Sequence, residues 1–387
     1  MPRREVRLES NVASGESNHA RSCRSVKQVP RLVALATAVP PYVVRQADVR
    51  DMAARLFSGA VGTDSRLLQV FNHAQIERRH ACMPLEWFAA EHSFAEKNAL
   101  YVENAVRLAG EATRKVLARA RLEPVDIDHV LFVSSTGLST PSVDALVANE
   151  LGLRPDVRRT PIWGLGCAGG AAGLSRARDF ALADRSASVL LITLELCSLT
   201  FQFDDLSKRN LVAASLFGDG AAAAIVVGSD VEGRGRNDHR SLGLIASRST
   251  LWKDTQDVMG WSVDGAGLHV VFSRDIPTIV REKVRPSLLA FLESCGLELE
   301  AIRHLVAHPG GVKVLKAYAE ALELPETAFR HAREVLRDYG NMSSPSCLFV
   351  LDRFLESQEI QSGDHAVVAA LGPGFSAEYV LLRGESV

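Results

Sequence analysis

From Arg31 onward, apolar and polar positions fall into blocks that predict alternating strands and helices. RLVALATAVP, beginning at Arg31, reads as a strand running into a loop. VENAVRLAGEATRKVLARARL, residues 102–122, carries apolar residues at helical spacing and predicts a helix. VDIDHVLFVSSTG reads as a buried strand ending in small polar residues, and TPSVDALVANELGL as a helix opened by Thr140-Pro141. ASVLLITLELCS and LFGDGAAAAIVVG again predict strands.

The second half repeats this grammar. The helical stretch IPTIVREKVRPSLLAFLESCGL precedes EAIRHLVAHPGG, a short strand breaking into glycines, and VKVLKAYAEALEL is a further helix. Each half has a strand after a long amphipathic helix and an acidic loop, then a late strand beside a Gly-rich turn (LFGDGAAAAIVVG, ALGPGFSAEYVLLRG). This points to a duplicated α/β unit whose sheets are covered on both faces. The polar stretch EGRGRNDHRS marks the seam. The expected division is a mobile arm at 1–29, a first half at 30–238 and a second at 239–387.

Composition narrows the class. The chain has 387 residues, 47% hydrophobic and 23% charged, with a net charge of -2. That profile fits an ordinary soluble enzyme and gives no basic field for nucleic acid or membrane surfaces. No apolar run is long enough to span a bilayer. The six cysteines are scattered, with neither a CxxC pair nor zinc spacing, so a reduced, cytoplasmic setting without metal is expected.

Three segments carry candidate chemistry: GLGCAGG with Cys167, VAHPGG with His308, and DYGNMSSPS with Asn341. Cys167 sits between glycines where a strand should give way to a helix. Unpaired N–H groups at a helix start favour thiolate there, although a small buried cysteine would read the same way. His308 taken alone suits a turn with a backbone hydrogen bond, and Asn341 a left-handed turn position. Cys197 reads as core. Together, a thiol, an imidazole and a carboxamide in Gly-punctuated turns suit acyl transfer, with N–H donors on a developing oxyanion. Neutral Asn fits, because a carboxylate would repel an enolate.

GLGCAGG, LFGDGAAA, AHPGG, YGNMSS and GPGF, in this order along the chain, resemble the chalcone synthase-like type III polyketide synthases of the thiolase superfamily. The resemblance runs from about Arg31 to the C-terminus. It implies an α/β, thiolase-like αβαβα five-layer core of two duplicated halves, and a homodimer. It implies Cys167 as acyl-carrying nucleophile, paired as thiolate with imidazolium His308, and His308 with Asn341 as the decarboxylation and oxyanion pair. Acyl-CoA and malonyl-CoA are the implied substrates, with no metal or redox cofactor. Phe217 matches an aromatic lining the way to the cysteine. Gly372, Pro373, Gly374 and Phe375 match the loop shaping a cyclisation pocket. Ser135, Thr136 and Thr140 fall where the family lines that pocket, Thr140 near the partner subunit.

The chain also departs from the plant pattern. GLHVVFSRDIP puts Val270 where those enzymes carry a second gating Phe, leaving room for a longer acyl group. The stretch from Cys197 to Leu216 is shorter. Arg66 fits one CoA-binding base, whereas Gln69 and His73 stand where bases are expected. PIWGLGCAGGAAG is closer to bacterial members that take long fatty acyl starters and form alkylpyrones or alkylresorcinols. The alternatives are a ketoacyl synthase III-like enzyme that condenses once, and a papain-like protease, which would carry disulfides and an aromatic soon after the cysteine. A catalytically dead scaffold would have lost one of the three residues.

Overall fold

Every position of the strands His129–Val133, Ser188–Leu196 and Asp219–Val227 is buried, so these strands need apolar cover on both faces. Alternate residues supply it. Leu131, Val133, Val189, Leu191, Ala222 and Ala224 face one core, while Val130, Phe132, Leu190, Ile192, Ala221 and Ala223 face another. The structure, a computed structural model, describes residues 29–56, 67–231 and 241–385. The arm at 1–28, the seam around 238 and Arg66 lie outside the described residues.

In chain order the strands are β1 Arg31–Ala38, β2 Tyr42–Arg45, β3 Arg78–Ala81, β4 His129–Val133, β5 Arg158–Ile162, β6 Ser188–Leu196 and β7 Asp219–Val227. The second half contributes β8 Leu242–Leu251, β9 Met259–Asp264, β10 Gly267–Phe272, β11 Ile302–Ala307, β12 His365–Gly372 and β13 Ser376–Gly384. The main sheet runs β11-β12-β13-β8-β1-β7-β6-β4-β5. Read outward from its middle, it is one pattern twice: β1-β7-β6-β4 and β8-β13-β12-β11. In each run the first two junctions are antiparallel and the third is parallel. The first half adds β5, parallel to β4. The runs meet through two residue pairs, Arg31 with Gly243 and Leu32 with Leu242.

Helices complete five layers. Phe94–Ala120 covers the outer face of the first half through Tyr101, Ala105, Leu108, Ala112 and Val116. It starts earlier than the apolar spacing from Val102 predicts, because Ser93 and Glu96 form a capping box that satisfies the first free N–H groups. Gly169–Ala183 and Ser346–Glu356 lie between the halves, the first packing against β4 and β6 on one side and β12 and β13 on the other. Ile276–Glu293 and Val312–Leu322 pack together beyond the second half. The result is the thiolase-like α/β arrangement of two related halves.

Small residues make the central layer possible. A Cβ on Gly170 would lie 2.4 Å from both Cys347 Sγ and the Ser344 carbonyl oxygen, and one on Gly173 would lie 2.6 Å from Leu191. The helix that follows Cys167 is thereby drawn tightly against the helix that follows Asn341. The helix expected to open at Thr140-Pro141 starts at Val143 instead. Among the described residues no helix is long and apolar enough to cross a membrane.

Candidate active site

The duplicated topology brings both halves' loops to one place. Cys167 lies in a 3-10 turn, Gly166–Ala168, that leads directly into the helix Gly169–Ala183. His308 follows the last residue of β11 and is anchored by its N–H to the Ala369 carbonyl at 2.8 Å. Asn341 follows the helix Arg330–Tyr339. Its Nδ2 donates toward Cys167 Sγ at 4.0 Å and to the Gly310 carbonyl at 3.4 Å. Its Oδ1 accepts from Ser343 N–H at 2.8 Å, which fixes the amide so that its N–H groups face the sulfur. A Cβ on Gly310 would stand 3.7 Å from His308 Nε2, so the imidazole borders the same spot. The left-handed positions beside Asn341 are Gly340 and Ser343, and Asn341 itself is not one.

Charge in this site differs from the expected thiolate–imidazolium pair. Neither ring nitrogen of His308 has a hydrogen-bond partner among the described residues, and burial lowers its pKa to about 3. Burial pushes the Cys167 thiol up to about 11, with Glu195's charge adding to the rise; hydrogen bonds from Ser343 and Asn341 act the other way. In the chain alone, desolvation therefore favours a neutral thiol beside a neutral imidazole. A neutral imidazole still offers one N–H donor.

The turn carrying Cys167 is set from two sides. Ser135 Oγ accepts from Gly164 N–H and Gly166 N–H, both at 3.2 Å. Gly166 has φ +47°, and a Cβ there would come within 2.9 Å of Pro373 Cδ. Gly372 touches the same turn, where a Cβ would lie 2.6 Å from Ala168 Cβ and from the Leu165 carbonyl oxygen. Gly374 lies at φ +131°, and Phe375, which follows it, is fully buried against Trp252. The Gly372–Phe375 turn thus backs the cysteine loop.

Glu195 escaped the sequence reading. Fully buried on β6, it accepts from Ser135 N–H, Thr136 Oγ1 and Ser344 Oγ, each at 2.9 Å. Burial pushes its pKa up to about 7 against these hydrogen bonds. Ser135 and Thr136 are therefore tied into a buried network, and Thr136 also borders a small cavity beside Thr200 and Leu268. The available signal was an acidic residue within the apolar run LLITLEL. Ser343, the other group missed, lay inside the quoted DYGNMSSPS. Thr140 is exposed at the surface, near the half-exposed Leu138 and Trp163.

An apolar pocket, open to solvent on one side, lies beside the site. Phe217, Val270 and Cys197 line one part, and Met52, Leu56 and Phe88 another. Cys197, read from sequence as core, is buried in a small core cluster with Ala213 and Phe217 and also borders this pocket. Val270 lines the pocket among aromatic neighbours. It faces Trp261 across the β9–β10 hairpin, and the rings of Trp261 and Phe272 stand 6.2 and 5.7 Å from that of Phe217. On the hairpin face shared by these residues, two aromatics flank the position that lacks one.

A thiol at a helix start, a fixed carboxamide and a buried imidazole, set between duplicated α/β halves, define a condensing acyltransferase of the thiolase-like class. Residues 17–231 match the N-terminal domain of chalcone and stilbene synthases and residues 243–386 the C-terminal domain, so the chain belongs to that family, the type III polyketide synthases. The match begins upstream of Arg31. The chain is 40% identical to a putative chalcone synthase of Bacillus subtilis, over 92% of this chain and 98% of that one. It is 39% identical to a 1,3,6,8-tetrahydroxynaphthalene synthase of Streptomyces peucetius, over 91% and 92%. It is 31% identical to the alpha-pyrone synthesis polyketide synthase-like Pks18 of Mycobacterium tuberculosis, over 90% and 89%. The crystal structure of the tetrahydroxynaphthalene synthase of Streptomyces coelicolor superposes with a TM-score of 0.85 at 29% identity, covering 92% of this chain and all of that one.

Proposed function

We propose that this chain loads a long-chain fatty acyl group from acyl-CoA onto Cys167, extends it repeatedly with malonyl-CoA, and releases a cyclised pyrone or resorcinol-type product. Cys167 Sγ attacks the acyl-CoA carbonyl carbon while His308 takes the cysteine proton and passes it to the departing CoA sulfur, so that the C–S bond to CoA breaks and CoA leaves as the thiol. Malonyl-CoA then enters with its thioester oxygen toward His308 and Asn341. As the carboxylate leaves as CO2, charge builds on that oxygen, where a fixed amide N–H and an imidazole N–H stabilise the enolate more than the ground state. The enolate carbon attacks the Cys167 thioester and frees the thiolate. The extended CoA thioester can then reload.

The observation that carries this reading is the Asn341 Nδ2 group 4.0 Å from Cys167 Sγ, its orientation locked by Ser343. The apolar lining of the pocket beginning at Phe217 and Val270 supports a fatty starter. The relative named for alpha-pyrone synthesis supports pyrone closure, and the half-exposed Leu138 and Trp163 near Thr140 support a homodimer through that surface. The test is a panel of acyl-CoA starters of increasing length with malonyl-CoA, with products read by mass. Cyclic products from several extensions, best with long starters, are expected. A single β-ketoacyl product would establish the one-step ketoacyl synthase III-like reaction instead.

A further inference from the structure

Asn341 is held by more than its side-chain contacts, and the holding traces back to an arginine remote in sequence. The helix Lys208–Leu216 ends immediately before Phe217. A helix end leaves its last carbonyls without intrahelical partners. Here each has one. The Ala213 carbonyl accepts from Phe217 N–H at 2.9 Å, closing the last turn. Arg79 Nη1 donates to the Ala214 carbonyl at 2.8 Å and to that of Phe217 at 2.7 Å, and its Nη2 reaches Ser215 at 2.9 Å. Gln46 Nε2 also donates to Ser215, at 3.0 Å, while Gln46 Oε1 accepts from Arg79. That leaves the Leu216 carbonyl, and Asn341 N–H takes it at 2.8 Å.

The exchange is reciprocal. Gly218 N–H donates to the Asn341 carbonyl at 3.0 Å, so Phe217 and Asn341 sit side by side as a two-bond backbone bridge. The fit has no slack. A Cβ on Gly218 would lie 2.3 Å from the Tyr339 carbonyl oxygen, and one on Gly340 would lie 2.8 Å from that of Leu216. Arg79 is buried, and although burial lowers its pKa to about 10 it stays cationic at neutral pH. Its charge faces the negative end of the helix dipole, with buried Asp219 as the nearby counter-charge.

We infer that Arg79 is a positioning residue: by capping the helix that ends at Leu216 it fixes the Phe217–Asn341 bridge, and with it the amide that faces Cys167. This rests on the proposed role of Asn341 in stabilising the malonyl-derived enolate. Arg79 touches neither Cys167 nor His308. Its loss therefore separates two steps that a general loss of structure would depress together. Cys167 reactivity is governed chiefly by the burial of its own turn, with a smaller contribution from the Asn341 hydrogen bond, whereas decarboxylation depends directly on the placement of Asn341.

The experiment measures malonyl-CoA decarboxylation and iodoacetamide alkylation of Cys167, by mass, in the full chain and its Arg79→Gln, Arg79→Lys, Gln46→Leu and Asn341→Ala variants. Arg79→Gln is expected to slow decarboxylation at least about tenfold, a part of what losing one oxyanion donor removes, with alkylation within about twofold of the parent. Arg79→Lys should recover part of the rate, since an ammonium reaches some of the same carbonyls. Gln46→Leu should give a smaller decrease in decarboxylation alone. If Arg79→Gln does not fold, the Lys and Gln46 variants carry the test. Parallel loss of alkylation and decarboxylation, or unchanged decarboxylation, overturns the inference. Parent-like decarboxylation in Asn341→Ala overturns the functional reading beneath it, whereas an impaired Asn341→Ala beside unaffected Arg79 and Gln46 variants removes the positioning role alone.

Discussion

Asn341 Nδ2 points at Cys167 Sγ from 4.0 Å while Asn341 Oδ1 is occupied by Ser343 N–H. The carboxamide therefore has one orientation, with its donors toward the sulfur. Asn341→Ala is expected to lower the condensation rate by about 10²-fold or more, the usual penalty for one oxyanion donor. Loading of Cys167 by acyl-CoA, read by mass, should persist. Loss of loading as well would place Asn341 in the first chemical step.

Gly166 meets Pro373 from a left-handed conformation, at φ +47°. Gly166→Ala adds backbone strain and a Cβ contact, and should lower stability by about 1–3 kcal/mol. Urea midpoints compared with the parent chain check this, and an unchanged midpoint would show that the Cys167 and Gly372–Phe375 turns can separate freely.

Ser343 and Glu195 act on the Cys167 thiol in opposite directions, the hydrogen bond lowering its pKa and the carboxylate raising it. Ser343→Ala should slow iodoacetamide alkylation at pH 8 and move its profile to higher pH. Glu195→Gln should speed alkylation at the same pH. Shifts of the same sign in both variants would mean that the two changes act by disturbing the fold.

Glu195 also links folding to pH. Its carboxyl is raised from 4.5 to about 7 by burial, so the native chain keeps a proton that the unfolded chain has released. Stability from this group is full below pH 4.5 and is lost as pH rises through 7, a span on the order of 3 kcal/mol. Relative to the parent, Glu195→Gln should be more stable at pH 8 than at pH 5, measured by denaturant unfolding. An equal difference at both pH values would show that Glu195 ionises normally.

Val270 borders the apolar cavity between two aromatic neighbours. Val270→Phe places a third ring beside Phe217 and should shift preference toward short acyl-CoA starters. An unchanged chain-length profile would mean that the acyl group does not pass Val270.

The repeat was legible in the sequence because buried strands need continuous apolar runs, and Ser188–Leu196 and Asp219–Val227 display them openly. The motifs around Cys167, His308 and Asn341 were legible because tight turns need glycine. Pairings between segments far apart in the chain were hidden. Nothing in RRHA forecasts that Arg79 caps a helix ending at Leu216, since hydrogen bonds to backbone carbonyls leave no side-chain pattern. The charge state was hidden too. A helix start argued for thiolate, but desolvation depends on everything packed around Cys167, including Glu195, and dominates here. The surroundings of Val270 were hidden for a related reason: its size was visible, whereas its cross-strand neighbour Trp261 depended on a hairpin register.

The two sheet runs share one seam and one central pair of helices, yet the sulfur belongs to the first run while the imidazole and carboxamide belong to the second. The repeated topology therefore carries different groups in its two copies, and on the proposed chemistry neither copy holds a complete reaction centre. A polypeptide severed at the seam would leave two fragments, each with only part of a reaction centre, and activity would return only on their reassociation.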